Sequence, residues 1–139
     1  MAASEVTAAI RDGWSIALRA GSKPHRFIRV WAVVVRGRVF VRSWSLRPRS
    51  WYRTLLLEPS GVARIGRKEI PFRAAPARGE ALKAAVDRAY LRKYARPGEA
   101  RYARDLCAPT SRATTTELIL ERDSQRGRYR APSARAARA

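Results

Sequence analysis

The sequence predicts one α+β domain built from antiparallel β-hairpins with helices between them, and three observations support this class. Two pairs of apolar, alternating segments are each joined by a short loop, which is the pattern of a β-hairpin. Residues 80–94 carry apolar residues at helical spacing. Strands and helices do not alternate as βαβ units would require. An antiparallel sheet or barrel is therefore expected rather than a parallel sheet.

The chain has 139 residues, a length that suits one domain with one hydrophobic core. The longest apolar run, residues 30–35, is too short to cross a bilayer. The N-terminus lacks the basic residues and the apolar segment of a signal peptide. Cys107 is the only cysteine, so no intrachain disulfide can form. We therefore expect a domain over residues 1–123, with no membrane partner and a cytoplasmic location.

The net charge is +19, from 30 basic and 11 acidic residues. Such a charge would attract nucleic acid, an anionic membrane or a phosphorylated small molecule. The basic residues are spread along the chain, however, and a GC-rich genome also produces arginine-rich surfaces without a binding role. Residues 124–139 differ, because they combine five arginines with no acid and no apolar period. A disordered basic tail is predicted there.

The first hairpin is predicted to turn at Arg36 and Gly37, between strands over residues 27–35 and 38–45. This turn would place Val34 opposite Val39 on a face of small aliphatic residues that suits a barrel interior.

The opposite face of this hairpin is rich in aromatic residues. It would carry Val33 opposite Phe40 and, further from the turn, two Arg–Trp pairs, Trp31 with Arg42 and Arg29 with Trp44. A face of this kind needs a cover, which a helix, a cofactor or a second subunit could provide.

Other elements are predicted along the rest of the chain. They are a strand over residues 15–19, a helix over 48–59, a second hairpin over 61–74, a helix over 80–94, a helical turn near residue 105 and a strand over 112–120. The second hairpin is expected to turn at Arg67 and Lys68, which would place Ile65 opposite Ile70.

The sequence lacks the residues that several common kinds of binding site and active site require. The sequence has neither a Gly-x-Gly-x-x-Gly motif nor a Walker loop. His25 is the only histidine, so no Cys/His cluster can build a zinc site and no metal is expected. Cys107 has no histidine to form a dyad with, because His25 is expected in a solvated loop, and a packed thiol is predicted.

Anion recognition close to aromatic residues is the chemistry that remains. Arg42 and Ser43 come at the end of a strand, and residues 47–50 lead into the start of a helix. Free backbone N–H groups and forked arginine donors favour a phosphate there. The alternative is a basic surface around a core tryptophan.

The segment Trp51-Tyr52-x-x-Leu55-x-x-x-Pro59 resembles an element of the deazaflavin-dependent nitroreductase-like proteins, which belong to the flavin-binding split-barrel superfamily. The loop 21–26 and the strand 39–43 stand where those proteins carry a basic phosphate loop and a serine-bearing strand. With Lys-Tyr at 93–94 and Arg-x-Thr-Thr at 112–115, the chain looks closest to a small uncharacterised bacterial branch of that superfamily. The resemblance extends over about residues 15–120, although Leu46-Arg47 stands where the enzymes carry Gly-Gly.

The resemblance implies an antiparallel split β-barrel with flanking helices, usually a homodimer, that binds FMN or the deazaflavin coenzyme. It implies an oxidoreductase for a small organic acceptor and identifies no catalytic residue. The residues expected to bind the coenzyme are Lys23, Arg26, Arg42, Ser43, Trp51, Tyr52 and Arg112. Two alternatives stay open: a basic nucleic-acid-associated protein, and a cofactor-free dimeric barrel with a structural or regulatory role.

Overall fold

The structure is a computed structural model and describes residues 3–23 and 26–121, which form seven β-strands and five α-helices. The strands are β1 (Ile16–Ala20), β2 (Ile28–Val30), β3 (Ala32–Val35), β4 (Arg38–Val41), β5 (Ser60–Ile65), β6 (Lys68–Pro76) and β7 (Thr116–Leu120). The helices are α1 (Ala3–Asp12), α2 (Trp51–Leu57), α3 (Glu80–Lys93), α4 (Ala100–Leu106) and α5 (Pro109–Arg112). The predicted tail, residues 124–139, and the predicted loop residue His25 lie outside the described residues.

All seven strands belong to one antiparallel sheet in the order β2-β1-β5-β6-β7-β4-β3. The two edge strands, β2 and β3, are consecutive in the chain, and only Trp31 separates them. The sheet therefore curls into a nearly closed barrel with helices around it. This confirms the predicted α+β class with an antiparallel barrel and flanking helices.

Alternate residues of the first hairpin face the barrel interior and the outside, as predicted. Val34 pairs with Val39 on the inner face. Val33 pairs with Phe40 on the outer face, where both pack against the buried Tyr90 of α3. A helix therefore covers the aromatic outer face of the hairpin. Every strand contributes buried apolar residues to the interior core, which α1 and α2 complete.

Helix α1 is absent from the sequence-based prediction. Its residues Val6 and Ile10 lie one helical turn apart, and both are buried in the interior core. The helix packs against β3, β4 and β5. With only two large apolar residues in ten, the segment carries a weak pattern, and its burial depends on strands that come later in the chain. Among the described helices, none is both long and apolar enough to cross a membrane.

The strand pairing of the second hairpin differs from the prediction by two residues. Gly66 and Arg67 form the turn, and Ile65 pairs with Lys68 instead of Ile70. Gly66 has a φ of 62°, the positive value that the first position of a type II′ turn requires and that glycine adopts without strain. Because side chains alternate with a period of two, the shift leaves the inner and outer faces unchanged.

Two other predicted segments are divided in the structure. In the predicted strand 112–120, Arg112 is instead the last residue of α5, and the observed strand starts only at Thr116. The hydroxyl of Thr114 donates to the carbonyl of Ser111 (2.6 Å), which helps to end the helix. The predicted strand 27–35 breaks at Trp31, because β2 pairs with β1 and not with residues 43–45.

Candidate functional site

An open groove of about 410 Å³ lies between β2, the connection from β4 to α2, and the first turn of α2. It is lined by Ile28, Arg29, Ser43, Trp44, Ser45, Arg47, Arg49, Ser50 and Trp51. Three arginines, two tryptophans and three serines thus meet in one depression, and none of these nine residues is acidic.

Serine hydroxyls give the connection between β4 and α2 a defined shape. The Ser43 hydroxyl accepts from the Ser45 amide (3.0 Å) and donates to its carbonyl (2.7 Å). The Ser45 hydroxyl accepts from the Arg47 amide (3.1 Å). Ser50 is the N-cap of α2, where its hydroxyl accepts from the Arg53 amide (3.2 Å). The backbone that carries the groove is therefore held by its own side chains.

A buried threonine fixes the other side of this connection. The amide of Ser43 donates to the Thr114 hydroxyl (2.8 Å), and that hydroxyl donates to the carbonyl of Ser111 (2.6 Å). Both Ser43 and Thr114 are buried. The end of β4 is thus fastened to the connection between α5 and β7.

The arginines of the groove lie in a region without negative charge. Residues 13–57 contain ten basic residues and no acid. Arg29 donates to the hydroxyl of Ser15 (3.0 Å). Within the described part of the chain, the side chains of Arg47 and Arg49 form no ion pair and both are exposed. The groove therefore has a positive potential, and no described carboxylate forms an ion pair with Arg47 or Arg49 that would reduce it.

Two indole rings supply flat apolar surface. The side chain of Trp44 is 49% exposed and meets Trp31 edge to face, with ring centroids 5.6 Å apart. Trp51 is half-buried, and its ring is perpendicular to that of Tyr52 at 6.3 Å. Aromatic neighbours hold both indoles in place.

Arg42 and Arg112 come together at a different place, around Asp87 of α3. The Arg42 side chain is fully buried and donates to Asp87 Oδ1 (2.5 Å), to the Thr115 hydroxyl (2.8 Å) and to two backbone carbonyls of α3 and α4. Arg112 Nε donates to Asp87 Oδ2 (3.0 Å), and its guanidinium also pairs with Glu80. Both charges therefore have carboxylate partners within the protein.

The aromatic contacts of this region differ from the predicted Arg–Trp pairs. The Arg42 guanidinium lies 5.7 Å from the ring centroid of Tyr90 instead of stacking on Trp31. Trp31 stacks on Tyr94. Tyr90 of α3 and Tyr94, the C-cap of that helix, therefore take the places that the sequence pattern had given to the Arg42–Trp31 pair.

The residues expected to bind a coenzyme are thus distributed over three places. Ser43 and Trp51 line the groove, and Tyr52 adjoins it through Trp51. Arg42 and Arg112 lie in the Asp87 cluster described above.

The third place is the loop that contains Lys23 and Arg26. Both residues are exposed, and they flank residues 24–25, which lie outside the described part of the chain. The sequence reasoning did not assign Trp44 and Arg29 to the site. The acid-free stretch over residues 13–57 is the sequence signal that points to them.

The strongest shifts in pKa lie outside the groove, in the layer between the barrel and α3. Burial raises the pKa of Tyr90 and of Tyr94 above the usual range of tyrosine. Burial also raises the pKa of the Cys107 thiol, which disfavours the nucleophilic thiolate. Burial lowers the pKa of Lys93 to about 8, against the opposing charge of Asp12. The described residues contain no cluster of three metal-ligating side chains.

Comparison with known proteins gives a structural neighbour and a family. The fold resembles the crystal structure of the conserved hypothetical protein Rv2991 from Mycobacterium tuberculosis, with a TM-score of 0.55 and 12% identity, over 88% of this chain and 81% of that chain. At this identity the likeness concerns the fold alone. No curated protein matches the sequence. Because a family model matches residues 9–118, most of its length, the chain belongs to DUF2255, a family described as uncharacterized protein conserved in bacteria.

Proposed function

We propose that the groove binds a phosphorylated ligand with a flat ring system, FMN or the deazaflavin coenzyme, and that the protein is an oxidoreductase acting on a small organic acceptor. Membership of the flavin-binding split-barrel superfamily is part of this proposal. The observation that carries it is the meeting of three arginines and two tryptophans in one groove without an acid.

The arginines would hold the phosphate of such a ligand. Arg47 and Arg49 have no carboxylate to compete with it among the described residues, and Arg29 faces them across the groove from β2. A guanidinium presents forked N–H donors that match phosphate oxygens, and such charge-assisted hydrogen bonds are stronger than neutral ones. The hydroxyl groups of the serine-rich connection add donors of smaller strength.

The tryptophans would hold the ring system. Trp44 and Trp51 both line the groove and offer indole faces for offset stacking. The volume of about 410 Å³ lies within the range of small-molecule sites in proteins. Lys23, Arg26 and Tyr52, which lie outside the lining, are proposed to contact parts of the ligand that extend from the groove.

A bound flavin or deazaflavin would supply the hydride chemistry itself. Among the nine lining residues there is no histidine, cysteine or carboxylate, so the chain would bind and orient the ligand without providing an acid or base. Arg42 would act indirectly in this scheme, because its buried hydrogen bonds fix the strand end from which Ser43 reaches the groove. Arg112 would support Arg42 through their shared partner, Asp87.

A homodimer with the ligand near the subunit interface belongs to the same proposal. Exposed apolar residues on α2 support it, since Leu57 is 89% exposed and Leu56 is 52% exposed on the helix that starts at the groove. Light scattering of the purified protein is expected to give twice the chain mass, and Leu57→Glu is expected to reduce it to one chain mass. A monomeric wild-type protein would contradict this part of the proposal.

Titration with ligands tests the central claim. We expect FMN or the deazaflavin coenzyme to raise the melting temperature and to quench tryptophan fluorescence, and we expect riboflavin, which lacks the phosphate, to bind at least tenfold more weakly. The double variant Arg47→Gln/Arg49→Gln should lose the preference for the phosphorylated ligand. The matched control Arg88→Gln/Arg92→Gln, on the exposed face of α3, should retain it. No response to either coenzyme at saturating concentration would contradict the proposal.

A further inference from the structure

We infer that the groove and its arginine-rich rim bind single-stranded nucleic acid, with bases stacked on the tryptophans and phosphates paired with the arginines. This inference goes beyond the proposed function and does not depend on it, because it needs no coenzyme. It rests on the distribution of charge and on the exposure of apolar side chains around the groove.

Three arginines on this side of the molecule have no ion-pair partner among the described residues. Of the ten basic residues within 13–57, Arg38 pairs with Glu117 (2.8 Å) and Arg42 pairs with Asp87, so carboxylates from outside the segment neutralise these two. In the described part of the chain, Arg47, Arg49 and Arg53 have no carboxylate within ion-pair distance. Arg47 and Arg49 lie on the connection into α2, and Arg53 follows in the first turn of that helix. A row of cations at such spacing suits a polyanion better than one phosphate group.

Apolar side chains are exposed between these cations. Trp44 is 49% exposed, Leu46 is 44% exposed and Ile28 is 37% exposed, and Trp44 and Ile28 line the groove. Folded proteins bury indole rings where they can, so an exposed apolar cluster rimmed by arginines indicates an interaction surface. Trp44 is supported by edge-to-face contact with the buried Trp31, which makes it a fixed platform.

Single-stranded nucleic acid fits these features better than other partners do. It offers flat bases for the indoles and regularly spaced phosphates for the guanidinium groups, whereas a duplex keeps its bases stacked inside. A second copy of the chain seated on the groove itself would bring Arg47, Arg49 and Arg53 against their own counterparts, and these would repel each other, so the homodimer proposed through Leu57 has to leave the groove open. An anionic membrane presents a broad surface and would not reach Trp51, which is half-buried in the groove.

Fluorescence anisotropy with a labelled twelve-residue oligothymidylate tests the inference on the full-length chain. We expect binding at 50 mM salt that is at least tenfold tighter than to a duplex of the same length. Trp44→Ala should weaken binding about tenfold through the loss of one stacked base. Arg47→Gln/Arg49→Gln should lower the slope of log Kd against log salt by about 1.4, for two phosphates no longer contacted. The control Arg88→Gln/Arg92→Gln should change neither quantity.

The basic tail requires a separate control, because it could bind nucleic acid without the groove. A full-length variant with Arg126, Arg128, Arg130, Arg135 and Arg138 changed to Gln is expected to keep the preference for single strands and the effect of Trp44→Ala. The inference would be overturned if this tail variant lost oligonucleotide binding while Trp44→Ala and Arg47→Gln/Arg49→Gln both kept it. Equal affinity for the duplex would also overturn it, and so would binding to phosphatidylglycerol vesicles without binding to the oligonucleotide. A parallel FMN titration shows whether the coenzyme proposal stands or fails by itself.

Discussion

The indole of Trp31 lies parallel to the phenol ring of Tyr94, with ring centroids 3.9 Å apart and 2° between the planes. Trp31 is the residue between the two edge strands of the sheet, and Tyr94 is the C-cap of α3. The hydroxyl of Tyr94 donates to the carbonyl of Trp14 (2.6 Å), which follows α1. One aromatic pair thus fastens the open side of the barrel, α3 and the N-terminal segment to each other.

Tyr94→Ala should destabilise the fold strongly, because it removes a fully buried ring and leaves a cavity beside Trp31. Aromatic-to-alanine changes in cores cost about 3–5 kcal/mol. Tyr94→Phe keeps the ring and loses the hydrogen bond to the Trp14 carbonyl, together with a long contact to the Ala32 carbonyl (3.5 Å), for a cost of about 1 kcal/mol. Urea unfolding followed by circular dichroism measures both values. Tyr102→Ala is the control at a ring that is 40% exposed, and a loss there as large as for Tyr94→Ala would contradict the assignment.

Asp87→Ala should cost about 3 kcal/mol in the free energy of unfolding, because it leaves the Arg42 guanidinium buried without a carboxylate. Glu69→Ala is the comparison. It removes a partner from the Arg64–Glu69 pair, where both side chains are about half exposed, and should cost at most about 1 kcal/mol. Denaturant unfolding of the two variants side by side checks the prediction, and equal losses would refute it.

Lys93 should make stability depend on pH in the alkaline range. Its ammonium donates to the carbonyls of Ile10 (2.8 Å) and Ala32 (2.6 Å), and burial lowers its pKa to about 8. An unfolded chain keeps a lysine protonated up to about pH 10.4. Between these two values the unfolded state binds more protons than the folded state, so the contribution of Lys93 to stability rises with pH.

Other groups act in the opposite direction and must be separated from this effect. Burial raises the pKa of Cys107, Tyr90 and Tyr94, so the unfolded chain loses these protons first and stability falls as each ionises. The informative quantity is therefore the difference in unfolding free energy between wild type and Lys93→Met. It should grow in favour of wild type from pH 8 to pH 10. Lys68→Met, at the exposed first residue of β6, is the control, and a flat difference for Lys93→Met would disprove the prediction.

Gly61→Ala should destabilise the barrel at the pairing of β1 with β5. A Cβ at this position would lie 2.3 Å from the Arg19 carbonyl oxygen and 2.8 Å from Cζ of Phe72. Backbone on one side and a buried ring on the other leave no room, and overpacking of this kind costs about 1–3 kcal/mol. Ser60→Ala, the neighbouring exposed position, should be close to neutral. Thermal unfolding of both variants provides the measurement.

The local sequence pattern was sufficient to predict the turn of the first hairpin with the strand pairs next to it, and α3. Arg36 and Gly37 both adopt positive φ, of 54° and 76°, as a type I′ turn requires, and this turn sets the pairing of Val34 with Val39. The second hairpin shows the limit of the same reasoning. A turn at Gly66-Arg67 and a turn at Arg67-Lys68 leave the same residues inside, so the apolar pattern cannot distinguish them.

The site was predictable only in part, because its surroundings depend on contacts between distant residues. Ser43 and Trp51 follow from the end of a strand and the start of a helix, and both line the groove. The burial of Arg42 depends on Asp87, which lies 45 positions further along the chain on α3. Strand alternation places Arg42 on the outer face but does not reveal that α3 and α4 enclose it there. The fold, rather than the pattern around Arg42, decides which arginines remain free for a ligand.

The single residue between β2 and β3 limits where the chain can accept insertions. Most barrels of this kind can accept extra residues at a turn, such as the exposed one at Arg36 and Gly37. An insertion at Trp31 would instead separate the first and last strands of the sheet and uncover two strand edges at once. Uncovered edges are templates for joining strands from other molecules. The junction at Trp31 therefore keeps the edges of β2 and β3 next to each other as well as completing the outer core, and we expect an insertion there to promote strand-to-strand aggregation.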